Sequence, residues 1–222
     1  MTLEDMIRRF RVLAKDTEAP FLWADEDVAD WLNDAQHQAC VRGRLIREDE
    51  LQSVCRITLT PGQHTYALHP SAYELIHMRV VGSGGEPPRI MGLKSREWLD
   101  ANVCDWRDLA EPTNWLIQDD TTLRVVGAIR PGDVLMLECY RLPIKPLVND
   151  IDKPEIHAAH HERLIQWALH RAFSVPDADG FDPQRSGQAE KDFTDYFGPL
   201  PDSDMRRITR EDADHHNAPI FI

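Results

Sequence analysis

The apolar residues of this 222-residue chain change their period twice. Near the N-terminus they recur at helical spacing: Leu3, Met6, Ile7, Phe10, Leu13 and Ala14, then Val28, Leu32, Ala35 and Ala39 with Trp31 alongside. From Ser53 they alternate, with Cys55, Ile57 and Leu59 on one side of the chain. Beyond Pro154 the helical spacing returns in Leu164, Ile165, Ala168, Leu169 and Ala172, and again in Ala189, Phe193, Tyr196 and Phe197. A helix and a strand bury different geometries, so the order reads helices, strands, helices and then an irregular tail.

Local signals set the element ends. Thr2 is placed to cap the first helix, with Asp5 three residues on, and Glu18-Ala19-Pro20 stops it. Asp25 reads as the cap of a second helix that reaches Ile46, a length of roughly 33 Å. The short connection makes these two helices antiparallel. Strands are expected at Thr65–Leu68, Glu74–Val81, Trp115–Ile117, Leu123–Val126 and Val134–Tyr140, with Gly82-Ser83-Gly84-Gly85 as a hairpin or loose loop. Ser95 caps a short helical turn. Pro154 with Glu155 is expected to open the third helix. Asp182-Pro183 opens the fourth, and Gly198-Pro199 ends it.

The expected fold class is therefore α+β. A four-helix bundle formed by both chain ends carries an inserted small antiparallel β-sandwich or barrel module and an extended C-terminal tail. The divisions are 1–50 for the first helical pair, 51–148 for the β module, 149–199 for the second pair and 200–222 for the arm.

Composition narrows function. No apolar run approaches the roughly 20 residues that cross a bilayer, and the acidic, amphipathic start does not read as a signal peptide. The four cysteines, Cys40, Cys55, Cys104 and Cys139, are scattered, which suits buried or idle thiols in a reducing compartment rather than a zinc site or disulfide framework. A net charge of −13 argues against gripping nucleic acid through a basic surface. An acidic wall does allow a duplex to pass without sticking.

Motifs for chemistry fall short. His157 and His161 have the i, i+4 spacing of a zinc-hydrolase helix, but Ala158 stands where the general base belongs. A metal-dependent hydrolase using His157, His160 and His161 is the rival from a different class, with His69, His77 and His170 as possible further ligands. Asp177 to Asp182 has its Gly in the wrong place for a calcium loop. Gly82–Gly85 lacks the Lys and Ser/Thr of a phosphate loop, and no Gly-x-Ser-x-Gly elbow occurs. No catalytic residue, metal or cofactor is assigned, and no enzyme activity is expected. The tryptophans, together with Tyr66, Phe193, Tyr196 and Phe197, read as packing or interface anchors. Trp23, Trp31 and Trp167 are the strongest structural candidates. A sugar-binding β module is a weaker option carried by the tryptophans alone. In the tail, Met205, Arg206, Arg207 and Arg210 precede an apolar end, Ile220, Phe221 and Ile222, a pattern that suits an arm ordering on a partner.

An ordered set of segments carries a family likeness. Trp23-Ala24-Asp25 leads into Trp31-Leu32-Asn33-Asp34-Ala35. Thr60 to Leu68, Tyr140-Arg141-Leu142-Pro143, Pro154-Glu155-Ile156 with His160-His161-Glu162, and Tyr196-Phe197-Gly198-Pro199 follow. With these, the chain resembles the head-to-tail adaptor proteins of tailed phages, the ring connectors with a β module inserted in a helical bundle. The resemblance implies a structural virion protein at the neck, made in the host cytoplasm and with no membrane partner. It implies a homo-oligomeric, dodecameric ring bound to the portal protein on one side and to downstream tail or neck proteins on the other. Double-stranded DNA would pass through during packaging and ejection without sequence-specific binding. The tail residues would then contact the portal. A neck stopper or tail-completion protein is the nearest structural alternative.

Overall fold

The computed structural model describes residues 1–176 and 179–201. The chain is α+β, and its contacts divide it into two compact units. One contains Met1–Arg47 and Tyr140–Leu200; the other contains Glu48–Cys139.

In the first unit, α1 (Leu3–Ala14), α2 (Asp25–Gly43), α5 (His161–Ser174) and α6 (Pro183–Phe197) share one core. α1 starts in a full capping box: Thr2 accepts from the Asp5 N–H, and Asp5 accepts from the Thr2 N–H. Its apolar stripe puts Leu3, Met6, Phe10 and Ala14 inside, and the left-handed Lys15 ends it. α2 buries Val28, Leu32, Ala35 and Ala39 as their spacing requires. Its ends differ from expectation. Ala24 holds the cap position without a side-chain bond, and Asp25 is the first helical residue. At the other end Arg44 turns left-handed, so the helix stops at Gly43 instead of Ile46 and spans about 28 Å. Leu45 and Ile46 then pack beside the core outside the helix, and the Ile46 carbonyl accepts from the Arg141 N–H at 2.9 Å.

The third long helix also starts later than Pro154 and Glu155 suggest. α5 begins at His161, after a 3-10 turn over Ala158–His160. Glu155 is committed elsewhere: its carboxylate accepts from Arg141 at 2.6 Å and from the Ile144 and Lys145 N–H groups at 2.7 and 3.1 Å. That holds the preceding chain in a non-helical path. α6 follows its signals. Asp182 accepts from the Gln184 and Arg185 N–H groups, Pro183 opens the helix, and Gly198 leaves it at φ 95°. Within α6, Phe193 and Phe197 are buried, whereas Tyr196 leaves the expected stripe and is 43% exposed.

The second unit carries a mixed sheet rather than the antiparallel one expected. After the two-residue β1 (Arg47–Glu48) and a helical turn, α3 (Gln52–Cys55), come β2 (Arg56–Thr58), β3 (Thr65–Ala67), β4 (Ala72–Val81) and β5 (Arg89–Leu93). α4 (Arg96–Asn102) and a 3-10 turn at Trp106–Asp108 lead to β6 (Pro112–Gln118), β7 (Thr122–Gly127) and β8 (Val134–Arg141). The order is β1-β8-β4-β5-β6-β7-β3, with β2 also on β8. β5 and β6 are parallel because the α4 crossover separates them, the connection a parallel pair needs. The alternation expected from Ser53 begins only at Arg56; Val54 and Cys55 are adjacent in α3 and both buried. Leu135 and Leu137 from β8 meet Tyr66 from β3 and Leu116 and Val125 from β6 and β7 in one core, so the sheet curls around it. On the other face of β6 and β7, Ile117 and Val126 pack with Leu99 and Trp106. These two strands are thus covered on both sides.

Candidate functional site

Each histidine of the sequence cluster has a separate task. His161 is buried; its Nε2 pairs with the Ile156 carbonyl at 3.0 Å, and its Nδ1 stands 3.0 Å from the Met1 amine and 3.2 Å from the Met1 carbonyl. Burial holds its pKa below the ordinary value, and the nearby positive amine acts in the same direction against the hydrogen bonds to the Ile156 and Met1 carbonyls. His160 pairs its Nδ1 with the Tyr196 hydroxyl at 3.1 Å. His157 accepts from the Ala159 N–H and caps the 3-10 turn. Their bonds diverge, and among the described residues no group of three His, Cys, Asp or Glu side chains has metal-holding geometry. His170 bonds Ser186 and His69 bonds Ser71, so these two are also occupied locally.

The aromatic candidates sort by unit. Trp23 stands edge-on to Phe10 and Phe173, at 5.7 and 5.5 Å, and Trp31 tilts beside Phe10 at the margin of the core. Trp167, Phe193 and Phe197 form a second file, and the Arg42 guanidinium lies 5.0 and 5.2 Å from the first two rings. Trp167 also donates to Asp34 at 2.7 Å. In the β unit the Tyr66 hydroxyl accepts from the Thr60 N–H and donates to the Gln63 carbonyl, bracing the Pro61-Gly62 turn. Trp98 and Trp115 meet edge to face and do not form the flat platform a sugar would stack on. Three thiols are buried; Cys40 is pushed up to about 12 by burial and then by Glu155, against Arg141, so it is inert. Met205, Arg206, Arg207, Arg210, Ile220, Phe221 and Ile222 lie outside the described residues, as does Asp177.

The polar centre of the helical unit was missed by periodicity. Arg11 is only 8% exposed and donates to Asp16 at 2.7 Å, to the Trp23 carbonyl at 3.1 Å and to Asp25. Phe21 stacks over its guanidinium at 3.7 Å. Asp16 in turn accepts from the Leu22 N–H at 2.9 Å. One cation therefore fixes the whole turn between α1 and α2 and the first residue of α2. Asn33 plays a similar part further on: its amide donates to the Leu147 carbonyl and its oxygen accepts from the Leu147 N–H. A cationic residue beside an apolar stripe, and an Asn inside a helix, are the only traces these ties leave in the sequence.

Along the outer side of α1 runs an open cleft of about 480 Å³. Ile7, Val12 and Phe21 supply its apolar lining, with Glu4, Asp25 and Asp150 as its carboxylates. Val12 and Phe21 are 53% and 45% exposed. Arg8, Arg11 and Thr17 complete the lining, and an exposed apolar strip of this kind suits binding.

No curated protein matches the chain. A protein-family profile, described as SU10 adaptor protein, matches residues 1–218. That span is nearly the whole sequence and takes in both units and most of the tail, so the chain belongs to the SU10 adaptor protein family, a phage head-to-tail adaptor family.

Proposed function

We propose that this chain is the repeating subunit of a ring that joins the portal to the tail at the virion neck. The family match over residues 1–218 carries the reading. The helical unit supports it, because both chain ends contribute to one core. In our reading α1, α2, α5 and α6 are a four-helix bundle, and the β module is an insertion that presents a second surface. A closed ring needs two different lateral faces on each subunit, which a bundle with an inserted module supplies. With a net charge of −13, its channel lets double-stranded DNA slide without sequence-specific contacts. The ring is dodecameric, binds the portal through residues 200–222 and receives downstream tail or neck proteins on the opposite side. Its part is structural, not enzymatic, and it needs no cofactor.

Co-purification with portal-bearing heads tests this. The full chain is expected to bind them, and a chain lacking residues 203–222 is expected to lose attachment. Normal attachment of the shortened chain would remove the arm from the proposal. Binding only to heads that already carry an adaptor would instead identify a stopper lower in the neck.

A further inference from the structure

The α1 cleft offers a place for part of the chain's own tail. Its apolar centre is Ile7, Val12 and Phe21, its carboxylates are Glu4, Asp25 and Asp150, and its cations are Arg8 and Arg11. Arg11 is committed to Asp16 and Asp25 and Arg8 to Asp5, while among the described residues Glu4 and Asp150 enter no side-chain ion pair. An exposed apolar strip beside two carboxylates outside any ion pair favours a segment that mixes aliphatic and cationic side chains. Residues 205–210 have that composition: Met205, Arg206, Arg207, Ile208, Thr209 and Arg210.

We propose that residues 205–210 occupy the α1 cleft of their own chain before assembly. Met205 and Ile208 cover Val12 and Phe21, and the arginines meet Glu4 and Asp150. The reach is sufficient. Gly198 lies beside the Arg42 carbonyl at the C-terminal end of α2, and Asp25 of the cleft is the first residue of that helix. The distance along α2 from Asp25 to Arg42 is about 26 Å at 1.5 Å per residue. Ile208 lies ten residue steps beyond Gly198, and an extended chain of that length spans about 33–36 Å. An occupied cleft would keep the basic segment from pairing with other acidic surfaces until a stronger partner displaces it. The proposal concerns the isolated chain and stands whether or not the portal is the final partner.

A paramagnetic label at position 209 tests it, using Thr209→Cys in a Cys104→Ser background, since Cys40, Cys55 and Cys139 are buried. In nitrogen-15 spectra of the full chain, the Val12 and Phe21 amide signals should vanish and return when the label is reduced. The same signals should survive with Arg206, Arg207 and Arg210 all changed to Glu, while unchanged resonances elsewhere report an intact fold. Cleft signals that survive beside the active label would overturn the proposal. So would their persistent loss in the charge-reversed chain. If the loss occurs in isotope-labelled chains mixed with separately spin-labelled ones, the occupant belongs to a second copy, and the proposal also fails.

Discussion

The two units spend their polar groups differently. The helical unit places an ionic centre inside: Arg11 and Asp16 are both buried and tie the turn to two helices. The β unit keeps its shortest ion pairs, such as Arg96–Asp119 and Arg107–Asp100, at the surface; a comparable inner tie is the buried Asp133, which meets the partly exposed Arg89 at 3.2 Å beside backbone pairing around an apolar core. Helices satisfy their backbone bonds internally, so contacts between them must come from side chains. Strands connect through the backbone itself, and their side chains are free to be simple. Damage to a single polar side chain should therefore cost the helical unit more, and damage to backbone geometry should cost the β unit more.

Arg11→Ala is the sharpest attempt to break that contrast. It leaves Asp16 buried without its cation, a loss of about 3–5 kcal/mol, measured by denaturant unfolding. A loss near that of a surface ion pair would refute the role of the ionic centre. Gly127→Ala is the counterpart in the β unit. Gly127 has φ 83°, and an added Cβ would stand 2.4 Å from the Glu111 carbonyl oxygen. The left-handed backbone alone costs about 1–3 kcal/mol, with the clash added to it. By contrast Tyr66→Phe keeps the ring and removes only the hydroxyl that holds Thr60 and Gln63, an expected loss of about 1 kcal/mol in the same unit. Asp182→Ala removes the α6 cap and should cost about 1 kcal/mol, visible as fraying of α6 in amide exchange.

Acid supplies a milder probe of the helical unit. His161 has a folded pKa lowered chiefly by burial. Below the ordinary value of 6.5 the unfolded chain takes up the proton more readily than the folded one. Stability from this group is therefore complete above 6.5 and falls as pH drops through the lowered folded value. Glu155 acts later in the same direction. Burial pushes its pKa up, but Arg141 and the Lys145 and Ile144 N–H groups outweigh that and hold it below 4.5. Its contribution is lost only as pH falls through that lower value. His161→Asn should flatten the first part of the stability profile and leave the second, as thermal melts across the pH range would show.

Helix stripes and caps were the legible part of the fold. Leu3 to Ala14 and Leu164 to Ala172 carried the 3.6-residue period, and Thr2, Ser95 and Asp182 announced their helices by short-range chemistry alone. Asp25 misled because the same carboxylate serves a long-range partner, Arg11, and Glu155 misled because it ties back to Arg141. Neither partner is visible to a local pattern. β5 went unread because Arg89, Met91 and Gly92 sit in a short run between a Gly-rich loop and α4, and its parallel pairing depends on a crossover. Of the functional surfaces, the family likeness was visible in ordered segments, while the α1 cleft needed the Arg11 turn to bring Phe21 and Asp25 beside Val12.

The central claim is that this chain forms the ring between portal and tail. A reconstruction of the neck from purified virions, with side chains resolved well enough to trace Trp23, Trp31 and Trp167, tests it most directly. The account predicts copies of this chain arranged around the DNA path, touching the portal on one side and tail or neck proteins on the other. A neck ring built from another chain, with this one absent or held away from the portal, would contradict it.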